Sequence, residues 1–172
     1  MKAASPWCPA LKHSWSPRGH TPNARTSLDH HQRLNLFGAL LVSPGLRSIR
    51  LSVRSFPCHL TSKQTILLLQ QLLSIIAGPI VLLWDNHRIH LSPPVKAYLV
   101  PHPRLHVFQF PTCAPELNPV ELVWAQVGEH NASFAPHNMH ELCARTRSGI
   151  ARTRSSQKRL VACRKGSGLS WK

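Results

Sequence analysis

Acidic residues are scarce in this chain. Only six of its 172 residues are Asp or Glu, against 21 Lys and Arg, so the formal net charge is +15. Residues 1–60 contain eight basic residues and one acidic residue, residues 61–141 contain four and five, and residues 142–172 contain nine and none. Basic flanks around a small acidic centre suit a polyanionic substrate held over a metal site. A basic tail that is only solvated is an equal alternative.

Cysteine pairs typical of structural sites are also missing. The five cysteines are scattered without a Cys-x-x-Cys pair, which indicates a reduced, cytosolic protein and argues against a disulfide scaffold or a zinc module. Among twelve histidines, only His87 and His90 lie beside another candidate ligand. The first twenty residues contain no apolar segment of the kind that forms a signal peptide.

One apolar stretch, residues 65–84, approaches the length of a membrane span. Gln70 and Gln71 interrupt it, and Gly78 and Pro79 interrupt it again. We therefore predict a buried helix, a break and a buried strand in this stretch, and no membrane partner.

The order of the predicted elements favours a three-layer α/β fold with a mixed sheet. The predicted strands are residues 34–42, 47–53, 79–84 and 105–110, and the predicted helices are residues 62–77, 92–100, 118–129, 136–152 and 155–162. Residues 1–33 are rich in Pro, Ser, His and Arg and are interpreted as loop with short extended pieces. The run at 79–84 is continuously apolar, which predicts a central strand covered on both faces.

Asp85 directly follows that strand. The carboxyl ends of strands in open α/β sheets are where catalytic groups collect, so Asp85 is a functional candidate. From this feature alone, an Asx turn formed by Asp85 and Asn86 is the more frequent explanation.

Glu121 lies in the first turn of a predicted helix. Asn118 as the cap, Pro119 at the first helical position and Glu121 at the third form a capping-box pattern. The residues that recur at helical spacing and predict an inward face are Val120, Val123, Trp124 and Val127. The glutamate either closes the cap or points from the helix end toward a metal, and the spacing alone does not choose.

Asp85 and Glu121 are more informative as a pair. The residues between them hold a predicted helix, a strand and a loop, which is enough chain to return the glutamate to the end of the strand. Two carboxylates brought together repel unless cations bridge them. Hydrolysis of a phosphodiester by two metal ions, about 4 Å apart, needs such a cluster.

Several segments resemble the IS630/Tc1-mariner-type transposases of the DDE superfamily. Residues 84–90 (WDNHRIH) and 111–124 (PTCAPELNPVELVW) are similar to the two signature blocks of that family, in order and at its spacing. Residues 15–22 (WSPRGHTP) resemble the segment after the family's first strand, residues 33–41 resemble its next strand, and residues 134–169 resemble its closing helices. The resemblance covers nearly the whole chain.

This resemblance implies an RNase H-like catalytic domain that cleaves and transfers DNA strands in transposition. Asp85 and Glu121 would be the second and third acidic ligands of the DDE triad and would bind Mg²⁺ or Mn²⁺. Asn86, His90 and Asn118 match positions that support the site.

The first acidic ligand of the triad is not matched. Counting back from Trp15 to the family's Asp-Glu pair reaches Met1 and Lys2, so we expect that most of the first strand and the first catalytic aspartate are lacking. The other aspartate, Asp29, lies in the loop before the second strand and is not expected to replace it. The resemblance then implies a truncated or inactive remnant. The alternatives are a catalytically silent, basic DNA-binding or oligomerising fragment, and a chain that does not fold stably because sheet edges are exposed.

The expected organisation is a loop-rich start at residues 1–33, a catalytic core at residues 34–152 and a basic helical tail at residues 153–172. The basic residues predicted to contact DNA are Arg18, Arg145, Arg147, Arg152, Arg154, Lys158 and Arg159. The family's helix-turn-helix region has no match in the sequence, so we expect attraction to DNA that does not depend on its sequence. A separately encoded helix-turn-helix segment and a homodimer are further expected partners, in the bacterial cytoplasm beside the nucleoid.

Overall fold

The computed structural model describes residues 2–6, 16–20, 33–57, 59–132, 134, 136 and 138–169. Its elements in chain order are β1 Lys2–Pro6, β2 Arg33–Val42, β3 Ile49–Phe56, α1 Ser62–Ile75, β4 Ile80–Trp84, α2 Pro93–Leu99, β5 Leu105–Gln109, α3 Pro119–Asn131, α4 Met139–Arg154 and α5 Gln157–Gly166. Short 3-10 turns lie at Pro44–Leu46 and Pro115–Leu117. The predicted strands and helices downstream of residue 33 are therefore confirmed, with shifts of a few residues at their ends.

The strands form two sheets. The first has the order β1-β2-β3, and both pairs are antiparallel. The second contains β4 and β5, which are parallel, with Ile80 opposite Leu105. Parallel and antiparallel pairs in one α/β chain agree with the predicted mixed class.

Two apolar cores lie on opposite faces of the sheets. The α1 core contains Phe37, Leu60, Leu68, Leu69, Leu72, Ile80, Trp84, Val95 and Leu105. The α3 core contains Leu34, Leu36, Ile49, Leu51, Phe110, Val120, Val123, Trp124, Val127, Leu142, Ile150, Leu160 and Cys163. Neighbouring residues of a strand point to opposite faces, so β2 contributes to both cores. Helices α1 and α2 cover one face and α3 to α5 the other, which confirms the predicted three layers.

Helix α1 begins at a complete capping box. The Thr61 hydroxyl accepts a hydrogen bond from the Lys63 N–H at 3.3 Å, and the Thr61 N–H donates to Gln64 Oε1 at 2.9 Å. The side chains thus satisfy two of the backbone groups that a helix start leaves without partners. The apolar stretch at residues 65–84 divides into α1 and β4, as predicted. Within the described residues, no helix is both long and apolar enough to cross a bilayer.

The prediction that the 79–84 strand is covered on both faces is wrong. Val81 of β4 is 67% exposed, and Phe108 of the neighbouring β5 is 56% exposed. In the described part of the chain β4 pairs only with β5. A continuously apolar strand can be buried on both of its faces. Here, however, helices α3 to α5 lie over the first sheet and leave this face of the second sheet uncovered.

The start of the chain contains a strand where the sequence indicated loop with short extended pieces. Strand β1 has five residues and pairs with Arg33–Phe37, half of the ten-residue β2. Lys2 lies opposite Phe37 at one end of this ladder. Met1, Trp15 and Asp29, on which the expectation about the first aspartate depends, lie outside the described residues.

Candidate functional site

Asp85 opens the loop that leads from β4 to α2. Its Oδ1 accepts a hydrogen bond from the His87 N–H at 3.1 Å, which forms the predicted Asx turn. His90 Nε2 lies 3.2 Å from the same oxygen. The Asp85 side chain is 39% exposed, whereas that of His90 is fully buried. The turn and the histidine therefore hold the carboxylate in place and leave part of it accessible to a ligand.

His90 is held between two aromatic rings. Its imidazole stacks on Trp84 at 4.7 Å and on Phe37 at 5.6 Å between ring centroids, with interplanar angles of 15°. Burial lowers the pKa of His90, and the nearby Asp85 carboxylate opposes this effect. A neutral ring can present Nε2–H to Asp85, although the angle is poorer than in a well-aligned hydrogen bond.

The Asp85 carboxyl is strongly acidic in this environment. Contact with His90 is the largest influence that lowers its pKa, to about 2, and the His87 N–H adds to it, while burial acts in the opposite direction. Asp85 is thus a fixed negative charge at neutral pH.

Glu121 lies in the first turn of α3 but does not close the predicted capping box. Asn118 Oδ1 accepts from the Val120 N–H at 3.0 Å, so the asparagine caps the helix as predicted. The Asn118 N–H, which a capping-box glutamate would bind, donates instead to Pro115 O at 3.0 Å. Glu121 Oε1 lies 3.4 Å from Asn118 Nδ2. The carboxylate is therefore directed by Asn118 and is not used to satisfy the backbone.

Glu121 lies within electrostatic range of Asp85. Burial raises the pKa of Glu121, and the negative charge of Asp85 raises it further. A divalent cation would relieve this repulsion, and carboxylate oxygens are the ligands that Mg²⁺ prefers. Within the described residues, no three His, Cys, Asp or Glu side chains are grouped to hold a metal. Among the described residues, the donor set of two carboxylates suits one cation whose coordination is completed by substrate phosphates.

Asn86 joins the two strand ends beneath this pair. Its Nδ2 donates to Phe110 O at 2.8 Å, and the Phe110 N–H donates to Trp84 O at 2.8 Å. Asn86 and His90 therefore lie beside Asp85, and Asn118 lies beside Glu121. The roles of Phe37 and Trp84 as the rings that enclose His90 were not predicted, because nothing in the sequence indicates that Phe37 of β2 reaches this loop.

A family model described as DDE superfamily endonuclease matches residues 8–142. The chain belongs to this family. Its fold is also similar to solved structures of the Mos1 mariner transposase, while a search of curated proteins found no match.

Three of those Mos1 structures define the extent of the similarity. The paired-end complex with Mg superposes with a TM-score of 0.63 at 15% identity, over 99% of this chain and 55% of the transposase. The paired-end complex with Mn gives 0.57 at 16%, over 100% and 55%, and the strand transfer complex gives 0.58 at 14%, over 99% and 54%. This likeness shows the RNase H-like fold, and the chain spans about half the length of these transposases.

Three of the predicted DNA-contacting residues of this DDE family member gather around His130. Burial lowers the pKa of His130, and the charges of Arg145, Arg152 and Arg159 lower it further. The Arg145 guanidinium donates to the His130 carbonyl at 3.1 and 2.7 Å and lies 5.3 Å over the Phe134 ring. Arg145 is therefore engaged in holding α3 and α4 together.

The other predicted basic residues are exposed. Arg147 and Arg154 lie two turns apart on α4, Lys158 lies on α5, and Arg18 lies in a turn at residues 16–20. Glu121 and His130 are nine residues apart on α3, so these two residues lie about 13.5 Å apart along the helix. The structure thus places the basic cluster beside the acidic site and not within it.

Proposed function

We propose that this chain forms the catalytic domain of an IS630-type insertion-sequence transposase, in which Asp85 and Glu121 are two of the acidic ligands for Mg²⁺ or Mn²⁺. The observation that carries the proposal is that Glu121, in the first turn of α3, lies close enough to Asp85 at the end of β4 for the Asp85 charge to raise its pKa. The Mos1 complexes solved with Mg and with Mn support a divalent ion. The IS630 resemblance also supports a bacterial cytoplasmic, nucleoid-associated location.

Each residue of the site has a distinct task in this proposal. A bound divalent ion would polarise the phosphodiester and favour an ionised nucleophile. His90 keeps Asp85 ionised and oriented through the 3.2 Å contact. Asn118 fixes the start of α3 and the position of Glu121. Burial raises the pKa of Glu121, and a metal binds only the ionised carboxylate, so metal binding should strengthen as the pH rises through that pKa.

We further propose that the 172-residue chain by itself binds the ion weakly and cleaves DNA poorly. Besides the pair, the sequence has four acidic residues, Asp29, Glu116, Glu129 and Glu141. Among the described residues none of these joins the pair to make a group of three. A two-ion mechanism needs more carboxylate ligands than this. A separately encoded segment that carries a further acidic ligand and a helix-turn-helix is one proposed partner, and a second copy of the chain is another.

The basic residues supply the affinity for DNA in this proposal. His130, whose pKa the charges of these arginines lower, lies about 13.5 Å from Glu121 along α3, which corresponds to about four base pairs at 3.4 Å each. The arginines would therefore bind phosphates that flank the reacting one. Contacts of this kind give affinity that falls with salt and carry no sequence information.

Manganese binding and nicking of supercoiled plasmid, measured on the purified chain, test the proposal. We expect weak Mn²⁺ binding by electron paramagnetic resonance, loss of that binding in Asp85→Asn and Glu121→Gln, and retention of it in Glu116→Gln, whose side chain is exposed nearby. We also expect DNA retention at low salt with no nicking.

Two results would contradict parts of this proposal separately. Mn²⁺ binding that survives both Asp85→Asn and Glu121→Gln would show that these residues are not the ligands. Nicking that both substitutions abolish would show that the chain supplies a third ligand and is active as it stands.

A further inference from the structure

The chain leaves α5 through a short segment, residues 166–169, that we call the brace. Its direction is set at Ser167, whose backbone is extended, with φ −76° and ψ 145°. Ser167 is buried, and its hydroxyl donates to Arg164 O at 2.8 Å. The hydroxyl thus satisfies one of the carbonyls that the end of a helix leaves without a partner. A specific contact therefore fixes the path of the brace out of α5.

The brace meets the 3-10 turn that precedes α3. The Gly168 N–H donates to Glu116 O at 3.1 Å, within the turn Pro115–Leu117. Leu117 follows Glu116 and is itself followed by Asn118, which caps α3. The brace is therefore bonded to the backbone directly before the helix cap.

Two glycines allow the brace to approach α3 closely. A Cβ on Gly166 would lie 2.8 Å from Leu122 Cδ1, and a Cβ on Gly168 would lie 3.0 Å from Leu117 Cδ2. Neither glycine has a positive φ, so the backbone would accept alanine at both positions. These glycines therefore serve close contact with the two leucines and not an unusual backbone conformation.

The two leucines enclose the part of α3 that carries the candidate site. Leu117 lies directly before Asn118, and Leu122 lies directly after Glu121. Both leucines also pack against the α3 core. Displacement of either leucine would therefore move the cap or the first turn of the helix.

We propose that the brace positions Glu121 by holding the start of α3. Gly166 and Gly168 are positioning residues, because they act through Leu122 and Leu117 and not on a ligand. The role of Glu121 as a metal ligand rests on the proposed function. The contacts of the brace need no metal, so its hold on α3 can be measured independently.

A variant with both Gly166→Ala and Gly168→Ala tests the proposal on the full chain. The reporters are the Asn118, Val120 and Glu121 amides, each of which donates a hydrogen bond at 3.0 Å. Without metal, we expect hydrogen exchange at these amides to become about tenfold faster, because overpacking of the leucines opposes the native position of the turn. Mn²⁺ affinity, measured by electron paramagnetic resonance, should fall by about the same factor.

Gly128→Ala is the matched control. A Cβ on this α3 glycine would meet nothing within 4 Å, so we expect neither faster exchange nor weaker Mn²⁺ binding.

A rescue variant separates positioning from a general loss of packing. Leu117→Val and Leu122→Val, added to the double-alanine variant, should restore exchange and Mn²⁺ affinity, because valine has no Cδ atom to meet the new Cβ groups. If the alanines only destabilised the fold, the two truncations would remove further apolar surface and add to the loss.

Three outcomes would overturn the proposal. Unchanged exchange at the three amides would show that the brace does not hold the start of α3. Failure of the valines to restore exchange would show that the effect does not pass through Leu117 and Leu122. Faster exchange with unchanged Mn²⁺ affinity, where Glu121→Gln abolishes Mn²⁺ binding, would show that the brace holds the helix but does not position the carboxylate.

Failure of the proposed function gives a different result. Mn²⁺ binding that survives Glu121→Gln would contradict the metal role of Glu121. The exchange rates and the rescue variant, both measured without metal, would still decide whether the brace holds the start of α3.

Discussion

The two sheets contain similar apolar strands but bury them differently. In β2, Leu34 and Leu36 enter the α3 core while Phe37 enters the α1 core, and all three are almost completely buried. In the second sheet Ile80 and Trp84 enter the α1 core, but Val81 and Phe108 are mostly exposed. The apolar composition of a strand therefore determines whether both of its faces can be buried. The placement of the helices determines which faces are buried.

The candidate site lies where these two unlike regions meet. Asp85 leaves the end of the partly covered sheet, whereas Glu121 starts the helix that packs on the fully covered one. His90 joins them, because its ring contacts Phe37 of β2 on one side and Trp84 of β4 on the other. The site thus depends on contacts across the boundary between the sheets.

Truncation of a core leucine should show the largest difference between the two regions. Leu160 of α5 is completely buried in the α3 core. We expect Leu160→Ala to lower the free energy of unfolding by about 2–5 kcal/mol, because it removes buried surface and leaves a cavity. Phe108→Ala on the exposed face should change it by less than about 0.5 kcal/mol. Urea denaturation measures both, and equal losses would mean that the second sheet is covered in solution.

A pair of glycine substitutions tests how closely α3 approaches the first sheet. A Cβ on Gly38 of β2 would lie 2.8 Å from the Trp124 ring and 3.1 Å from the Ser52 carbonyl oxygen, whereas a Cβ on Gly128 of α3 would meet nothing within 4 Å. We expect Gly38→Ala to destabilise the protein by about 1–3 kcal/mol. Gly128→Ala should stabilise it by up to about 1 kcal/mol, since alanine favours the helix. Thermal unfolding of the two variants should shift in opposite directions, and a neutral Gly38→Ala would contradict the close packing.

The pH dependence of stability should differ between the two carboxylates. The expected change in the free energy of unfolding is smaller here than for the leucine and glycine substitutions. The folded pKa of Asp85 is lowered from 3.8 to about 2, so its contribution is complete above about pH 4 and is lost as the pH falls toward 2. Because the carboxylate is 39% exposed, solvent screening limits this contribution to about 1 kcal/mol. Asp85→Asn, which can keep the Asx turn, should lose this amount at pH 6 and nothing at pH 2.

Glu121 should show the opposite slope. Its folded pKa is raised above 4.5, so the folded state binds its proton more tightly and stability falls as the pH rises through that region. Glu121→Gln should therefore stabilise the protein at neutral pH and have no effect in acid. Denaturation curves of both variants across pH give the comparison, and parallel slopes would mean that the two carboxylates do not differ in environment.

Local features of the fold were predictable because they depend on neighbours in sequence. The Thr61 cap, the break at Gly78 and Pro79 and the inward face of α3 each follow from residues a few positions apart. Asp85 and Glu121 were also found from local patterns, a carboxylate after a buried strand and a glutamate in a first helical turn. The family blocks then identified the two as a pair.

Features that depend on distant contacts were not predictable. The sequence left open whether Glu121 closes a capping box; it does not, because the Asn118 N–H donates to the Pro115 carbonyl in the preceding 3-10 turn. The prediction that β4 is covered on both faces was wrong because an apolar run does not specify where helices pack. The contacts of Arg145 with the His130 carbonyl and the Phe134 ring likewise join distant residues, and no local pattern indicated them.

The sequence by itself determined the element order, the DDE family blocks and the two carboxylates, since these are set by local chemistry and spacing. Only the tertiary structure decided that His90 is enclosed by Phe37 and Trp84, that Glu121 does not close the helix cap and that β2 and β4 line one cavity. The physical reason is that burial, pKa and strand pairing depend on which distant groups share the same space, and no local pattern encodes that choice.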